Sequence, residues 1–382
     1  MGNVEERTPI TPSSFAVGRA ILGEVRQAPI LALIVFVPVV IFLERTSPDA
    51  HTLLFLLSVV AIVPLAALLS RATEAVAAKT GDAVGGLLNA TLGNLTELVI
   101  SLAALQAGQY LLVKASLAGA IVTNTLFMLG GAFLLGGLKH HVQEFNRVNA
   151  RFQASLLFLA TIAILVPSLI SEVDQPPAPE VSQTLSLGLA TLLVAVYALG
   201  MLFSLRTHRE LFASVSHGEE DQKPWPLSLG IVMLVVVTLL VAVVSEIFVG
   251  SVQVAAEHLG LTPAFVGFIV VALVGAAAEM TTAFSAARAN RLDLSVAVAL
   301  GSAAQIALFV APVLVLVSYF IGPEPMTLQF WRGAVTMMIV ATMAATLLSN
   351  GGRGAWYAGV MALALYAIFA FTLFVLPPAT PS

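Results

Sequence analysis

Long apolar runs separated by short polar segments dominate the sequence. Eleven such runs are centred near residues 36, 61, 95, 124, 161, 195, 236, 275, 307, 341 and 366. A stretch of about 18 or more apolar residues can cross a bilayer as a helix. Backbone groups in lipid must bond within their own segment or within a closed barrel. Runs of this length do not fit the short alternating strands of a barrel. The pattern therefore predicts an all-α membrane protein with about eleven transmembrane helices. The first run, Ile30 to Leu43, is the shortest.

Charge placement sets the orientation. With the N-terminus inside, the inside segments hold Arg7, Arg19, Arg26, Arg71, Lys79, Lys139, Arg147, Arg151, Arg206, Arg209, Lys223, Arg288, Arg291 and Arg353. The outside segments hold only Arg45, Lys114 and Arg332. Fourteen of the 17 basic residues thus fall inside, as the positive-inside rule requires of an eleven-span chain.

The runs divide into two related halves. Gly93-Asn94-Leu95-Thr96-Glu97 and Gly275-Ala276-Ala277-Ala278-Glu279 both read Gly-x-x-x-Glu and lie 182 residues apart. Gly119 and Gly301 share this offset, as do Thr123 and Gln305, with Asn124 beside Thr123. A fixed offset over several polar and glycine positions marks an internal repeat. Each repeat holds five spans, an odd number, so the second copy is inverted in the membrane, as in many secondary transporters. The predicted organisation is an N-terminal cytoplasmic segment 1–27, a first helix within 28–50, a five-helix repeat 51–206, an acidic cytoplasmic loop 207–226 and a second five-helix repeat 227–382.

Composition narrows the chemistry. Only 10% of the residues are charged, the net charge is −4, and there is no cysteine. This excludes a thiolate nucleophile and a Cys-type zinc site, and it argues against nucleic acid as a partner. All six histidines, at positions 51, 140, 141, 208, 217 and 258, fall in loops or at membrane edges. No His-Glu-x-x-His motif or buried Ser–His pair is present, so the chain does not read as an intramembrane enzyme. No cofactor is expected.

Glu97 and Glu279 are the candidate site. Each sits mid-span in a charge-free stretch, Ala83 to Gln106 and Pro263 to Ala287. A charge at that depth costs about 2.5–3.5 kcal/mol on insertion scales. No other span carries a basic residue near its centre to neutralise it. Two facing carboxylates cannot both stay ionised without a counter-charge. A hard divalent cation supplies that charge, and protons remove the need for it. Metal and protons therefore compete for one site, which is the physical basis of an antiporter. Helical spacing puts Gly93, Asn94 and Ser101 beside Glu97, with Asn89 further along. It puts Gly275, Ala276, Ala283 and Thr282 beside Glu279. Calcium takes six to eight oxygen ligands. Glu97, Glu279, Asn94, Gly93 and Gly275 form the expected cation site, lined by Asn89, Ser101, Thr282, Asn124 and Gln305.

At these motifs the chain resembles the calcium/proton exchanger (CAX) family of the calcium/cation antiporter superfamily. The resemblance is carried by Gly85 to Leu98, Val113 to Gly119, Ser245 to Ser251, Gly275 to Glu279 and Ala299 to Phe309. It implies one extra N-terminal helix plus two inverted five-helix repeats, with calcium held between the third and eighth helices. It implies Glu97 and Glu279 as the exchanging carboxylates, assisted by Asn94 and backbone carbonyls. It also implies acidic relay positions on the second and seventh helices. Glu74 matches the first; at the second stands Gln253, with Glu246 nearby. The acidic run Glu219-Glu220-Asp221 matches a further family trait. Where the family's second motif carries Asn and His, this chain has Ala276 and Met280. Fewer oxygen ligands leave sodium or another monovalent cation as an alternative cargo, and a cation channel as a further alternative. The expected setting is a bacterial inner membrane, with the lipid bilayer as partner and a homo-oligomer compatible with the sequence.

Overall fold

The computed structural model describes residues 29–80, 82–170, 178–212, 225–376 and 378. The N-terminal segment 1–27 and the acidic run Glu219-Glu220-Asp221 lie outside the described residues. Apart from one short hairpin-like pairing the described chain is helical. A 3-10 segment, Pro29–Val35, leads into α1 (Phe36–Thr46). The first half continues with α2 (His51–Ala77), α3 (Asp82–Leu92), α4 (Leu95–Gln106), α5 (Tyr110–His140), α6 (Arg147–Ile170) and α7 (Pro179–Thr207). The second half holds α8 (Leu227–His258), α9 (Pro263–Gly275), α10 (Ala277–Arg288), α11 (Leu292–Val317), α12 (Arg332–Ser349) and α13 (Trp356–Val375). Strands β1 (Val142–Glu144) and β2 (Arg353–Ala355) pair antiparallel, and Arg353 Nη2 meets Glu144 Oε1 at 2.8 Å. This pairing ties the end of α5 to the start of α13.

Among the described residues eight helices are long and apolar enough to cross a membrane, or nine if α9 and α10 count as one bent span. The other two of the eleven expected crossings correspond to the 3-10/α1 segment and to the α3–α4 pair. The third and eighth spans are therefore not the continuous helices that the spacing argument assumed. The third breaks at Gly93–Asn94, and the eighth bends by 57° at Ala276. Glycine and asparagine are weak helix formers, which explains the first break. At the second break Gly275, the counterpart of Gly93, precedes Ala276, and alanine is a strong helix former, so propensity marks this break less clearly. Gly275 has no Cβ and lies directly against Glu97.

Repeat symmetry extends to backbone irregularity. A π-helical turn at Thr123–Met128 in α5 has its counterpart at Ile306–Val310 in α11. Such turns cluster at functional sites because the extra residue redirects side chains. The long helices α2 and α8 pack side by side, with Phe55 and Phe248 ring centroids 5.4 Å apart. Small residues let other backbones approach closely, as is usual where lipid removes any hydrophobic drive between helices. A Cβ on Gly359 would lie 2.4 Å from the Gly130 carbonyl oxygen across the α5–α13 contact. Gly359→Ala must push these two helices apart. Overpacking of this kind costs about 1–3 kcal/mol. The expected outcome is a lower melting temperature of the purified protein, whereas Gly188→Ala, with open space around it, should melt like wild type.

Candidate cation site

Both glutamates occupy the third position of a half-helix, Glu97 in α4 and Glu279 in α10. The first backbone N–H groups of a helix have no intrahelical acceptor, and the helix dipole is positive there. Each break thus offers its carboxylate a favourable local field, worth about 0.3–1 kcal/mol and up to ~2 kcal/mol when partly buried. That is smaller than the cost of placing two negative charges side by side in a low-dielectric interior. The last carbonyls of α3 and α9 end at the same breaks, and unwound carbonyls of this kind coordinate cations in transporters.

Glu97 reaches the second half at Gly275, one helical turn before Glu279. A Cβ on Gly275 would lie 3.1 Å from both Cγ and Oε1 of Glu97, so any other residue there would press on the carboxylate. The Glu97 carboxylate acts electrostatically on Glu279. Glu97 is buried, and Glu279 Oε2 is buried without a hydrogen-bond partner. An unpartnered buried carboxylate oxygen is costly and marks a place for a proton or a cation. No group of three or more His, Cys, Asp or Glu clusters among the described residues. Two carboxylates plus neutral oxygens are therefore the available donor set, which suits a hard cation.

Amides and a hydroxyl complete the site. Asn94 stands at the N-cap position of α4 but does not cap it. Its Nδ2 donates to Gln305 Oε1, and its Oδ1 accepts from Ser302 Oγ at 2.8 Å. Asn124 Nδ2 donates to Ser302 Oγ at 2.9 Å. Gln305 Nε2 donates to Tyr197 OH at 3.1 Å. Ser302 and Glu279 line the same cavity. The network crosses between the halves at every step from Asn94 to Ser302 to Asn124.

A cavity of about 440 Å³ runs from the surface at Glu74, Asn149 and Ser204 to Glu279, Ser302 and Gln305. Asn89, Gly93 and Thr282 line it, and Glu74 accepts from Ser70 Oγ at 3.2 Å near its mouth. Gly93 forms the turn that precedes Asn94, its N–H bonded to Asn89 O at 2.8 Å. Ser101 is buried one turn beyond Glu97. Glu246 and Gln253 do not line this cavity; both are exposed on α8 in the other half. The structure thus brings together Glu97, Glu279, Asn94, Gly93, Gly275, Asn124 and Gln305, and leaves Glu246 and Gln253 apart. The spacing argument missed Ser302 and Tyr197. Ser302 follows Gly301 directly, and Tyr197 stands in an apolar span.

On the opposite side the two halves pack closely at their glycines. A Cβ on Gly119 would lie 2.1 Å from the Phe268 carbonyl oxygen, and one on Gly267 would meet Ala115 Cβ at 2.7 Å and Leu112 O at 3.0 Å. Gln109 Nε2 donates to Val249 O at 2.9 Å, and Tyr110 OH donates to Glu324 O at 2.7 Å. By the 182-residue offset the counterparts of Leu112, Ala115, Gly119, Gly267 and Phe268 are Leu294, Ala297, Gly301, Gly85 and Gly86. Leu294, Ala297, Gly301 and Gly86 line the open cavity, and Gly301 has nothing within 4 Å of its Cβ position. The seam that is shut on one side stands parted on the other.

Comparison with known proteins follows the same division into halves. The sequence pattern of the family described as "Sodium/calcium exchanger protein" matches residues 50–206 and 229–375. The "Ca(2+)/H(+) antiporter" of Synechocystis sp. (strain ATCC 27184 / PCC 6803 / Kazusa) is 42% identical over 364 residues, covering 91% of this chain and 97% of that protein. The "Ca(2+)/H(+) antiporter ChaA" of Bacillus subtilis (strain 168) is 38% identical, covering 85% of this chain and 92% of the relative. The solved structure of native YfkE superposes with a TM-score of 0.79 at 33% identity, covering 91% of this chain and all of the other.

Glu97→Gln and Glu279→Gln each remove one of the two charges that a cation would meet. Each variant should fold and lose calcium binding, measured by isothermal titration on purified protein. Wild-type affinity in either one would rule out a paired-carboxylate site.

Proposed function

This chain belongs to the sodium/calcium exchanger protein family, and we propose that it is a calcium/proton antiporter in which metal and protons compete for Glu97 and Glu279. The observation that carries this reading is the placement of Glu97 against Gly275, one turn before Glu279, with both glutamates at half-helix N-termini and Glu279 lining a cavity that reaches the surface. Calcium bound there neutralises both charges and draws further ligands from Asn94, backbone carbonyls and water. Protonation of the glutamates removes the same electrostatic penalty without the metal. Because neither state needs the other ion, one site carries calcium one way and protons the other.

The cavity mouth lies at the end of the molecule where Lys79, Arg147, Arg206 and Arg291 cluster at helix ends. The positive-inside rule makes this end cytoplasmic. The N-terminus then lies on the same side, and a bacterial cell membrane is the setting that fits the bacterial relatives. The geometry supports an inward-open arrangement, with Glu74 at the mouth attracting cations towards the site. In an inverted repeat the alternate state exchanges the conformations of the halves. Closing the inner mouth therefore brings Gly85 and Gly86 onto Leu294, Ala297 and Gly301, while Gly119 parts from Phe268. This alternation separates the protein from a channel, since no continuous path opens at any stage.

Two experiments test the reading. In inverted vesicles, calcium uptake should require an imposed pH gradient and collapse when that gradient is abolished, with sodium and potassium assayed alongside. Calcium affinity should fall as pH falls, because protons occupy the same carboxylates. Uptake that persists without a gradient, or binding that ignores pH, would favour a channel or another coupling ion. The chain has no cysteine, so the seam can be tested by crosslinking. Gly86→Cys combined with Gly301→Cys should form a disulfide during turnover and arrest transport until reduced. No crosslink under turnover would mean that these helices do not close the inner mouth.

A further inference from the structure

A second cavity, of about 580 Å³, opens at the end of the molecule opposite the mouth described above. It lies between the start of α5, the start of α7 and the loop 318–331 that joins α11 to α12. Lys114 of α5 lines it, together with Tyr110, Ser182, Gln183 and Glu324. A lysine so near a helix end ordinarily extends its ammonium into water. Here Lys114 is half-buried, and its one hydrogen bond among the described residues is to the Thr327 hydroxyl at 3.3 Å. An ammonium has three N–H donors, so two are left for another partner. Glu324 lines the same cavity, yet the two charges form no ion pair.

The walls of this cavity are built. Along the loop, Glu324 N–H donates to Tyr110 OH and Met326 N–H to Ser318 Oγ, both at 2.8 Å. Leu328 N–H donates to Ser186 Oγ and Phe330 N–H to Ser168 Oγ, both at 3.0 Å. Gln329 Nε2 donates to Ser182 Oγ at 3.0 Å. These groups hold the loop in shape, and the Lys114 ammonium and the Glu324 carboxylate remain as the charges facing the space. The other half shows that the fold does not require a cavity here. By the 182-residue offset the counterparts of Tyr110, Lys114 and Thr327 are Leu292, Val296 and Phe145, which belong to one buried apolar cluster. One half fills this place with side chains, and the other keeps a cavity with a cation in its wall.

We propose that this cavity binds the headgroup of a zwitterionic phospholipid, with the phosphate on Lys114 and the ammonium on Glu324. A cation and an anion that share one cavity without pairing suit a ligand that carries both charges. Phosphate oxygens accept strong, charge-assisted bonds from the open N–H donors of Lys114. The cavity reaches the surface at Ala178 and Pro179, where α7 begins. Along α7 the apolar side chains of Val181, Leu187, Leu192 and Leu199 are exposed, a surface that acyl chains can cover. Basic pockets between membrane helices are a known way of holding lipid headgroups. The proposal does not depend on which cation Glu97 and Glu279 carry.

The test titrates the purified full-length protein with dihexanoyl-phosphatidylethanolamine and reads the saturable rise in melting temperature. Wild type should bind this lipid more tightly than dihexanoyl-phosphatidylglycerol, which has the phosphate but no ammonium. Lys114→Met should weaken both lipids roughly tenfold, the size of one lost charge-assisted hydrogen bond. Glu324→Gln, at an exposed side chain, should still bind but lose the preference for ethanolamine; this arm decides alone if Lys114→Met does not fold. Arg45→Met, at a basic residue exposed at the end of α1, should bind like wild type. O-phosphoethanolamine, the headgroup without tails, should bind far more weakly than the lipid. No saturable binding by wild type, wild-type binding by Lys114→Met, or an unchanged preference in Glu324→Gln would each overturn the proposal. So would an equal loss in Arg45→Met, which would mean general surface attraction, or equal affinity for the free headgroup, which would mean a soluble ligand.

Discussion

Two carboxylates held near each other inside a membrane protein repel, and helix dipoles offset only part of that repulsion. Glu97 and Glu279 therefore carry a cost that protons or a cation at the site would remove. Much of the architecture follows from this one requirement. The third and eighth spans break so that each glutamate stands at a half-helix N-terminus and each break frees carbonyls for a cation. Gly275 lacks a Cβ because Glu97 occupies that space. A cavity reaches Glu279 from one side, and on the other side Gly119 and Gly267 pack closely against the facing helices.

The two halves answer the requirement unequally. Asn94 stands at the break of α4, whereas its counterpart Ala276 offers no polar side chain. Oxygen ligands beyond the glutamates come from one side, and the second half contributes Ser302 and Gln305, which hold Asn94 in place. Asymmetry also appears in the packing. Gly119 is locked onto the Phe268 backbone, and Gly301 faces open space. A repeat with identical sequence in both copies would have no chemical reason to favour one arrangement of this seam. Phe268 in place of a glycine, with Gly86 as its counterpart, gives the two sides different surfaces to close.

The sequence by itself determined the helical membrane class and the family likeness, and it carries the expectations of orientation, of an inverted repeat and of a central place for Glu97 and Glu279. Each of these rests on composition, run length or a fixed offset, which are properties of the chain before it folds. The helical spacing around Glu97 also brought Asn94 and Gly93 near it, but for a different reason from the one the spacing supplied: they belong to a turn, not to a shared helix face. The bend at Ala276 was less legible, because Gly275 alone marks it and the alanines that follow favour helix. Ser302 and Tyr197 were likewise decided by tertiary structure. They lie 205 and 100 residues from Glu97 in the chain, and their hydrogen bonds exist only once the two halves have packed together.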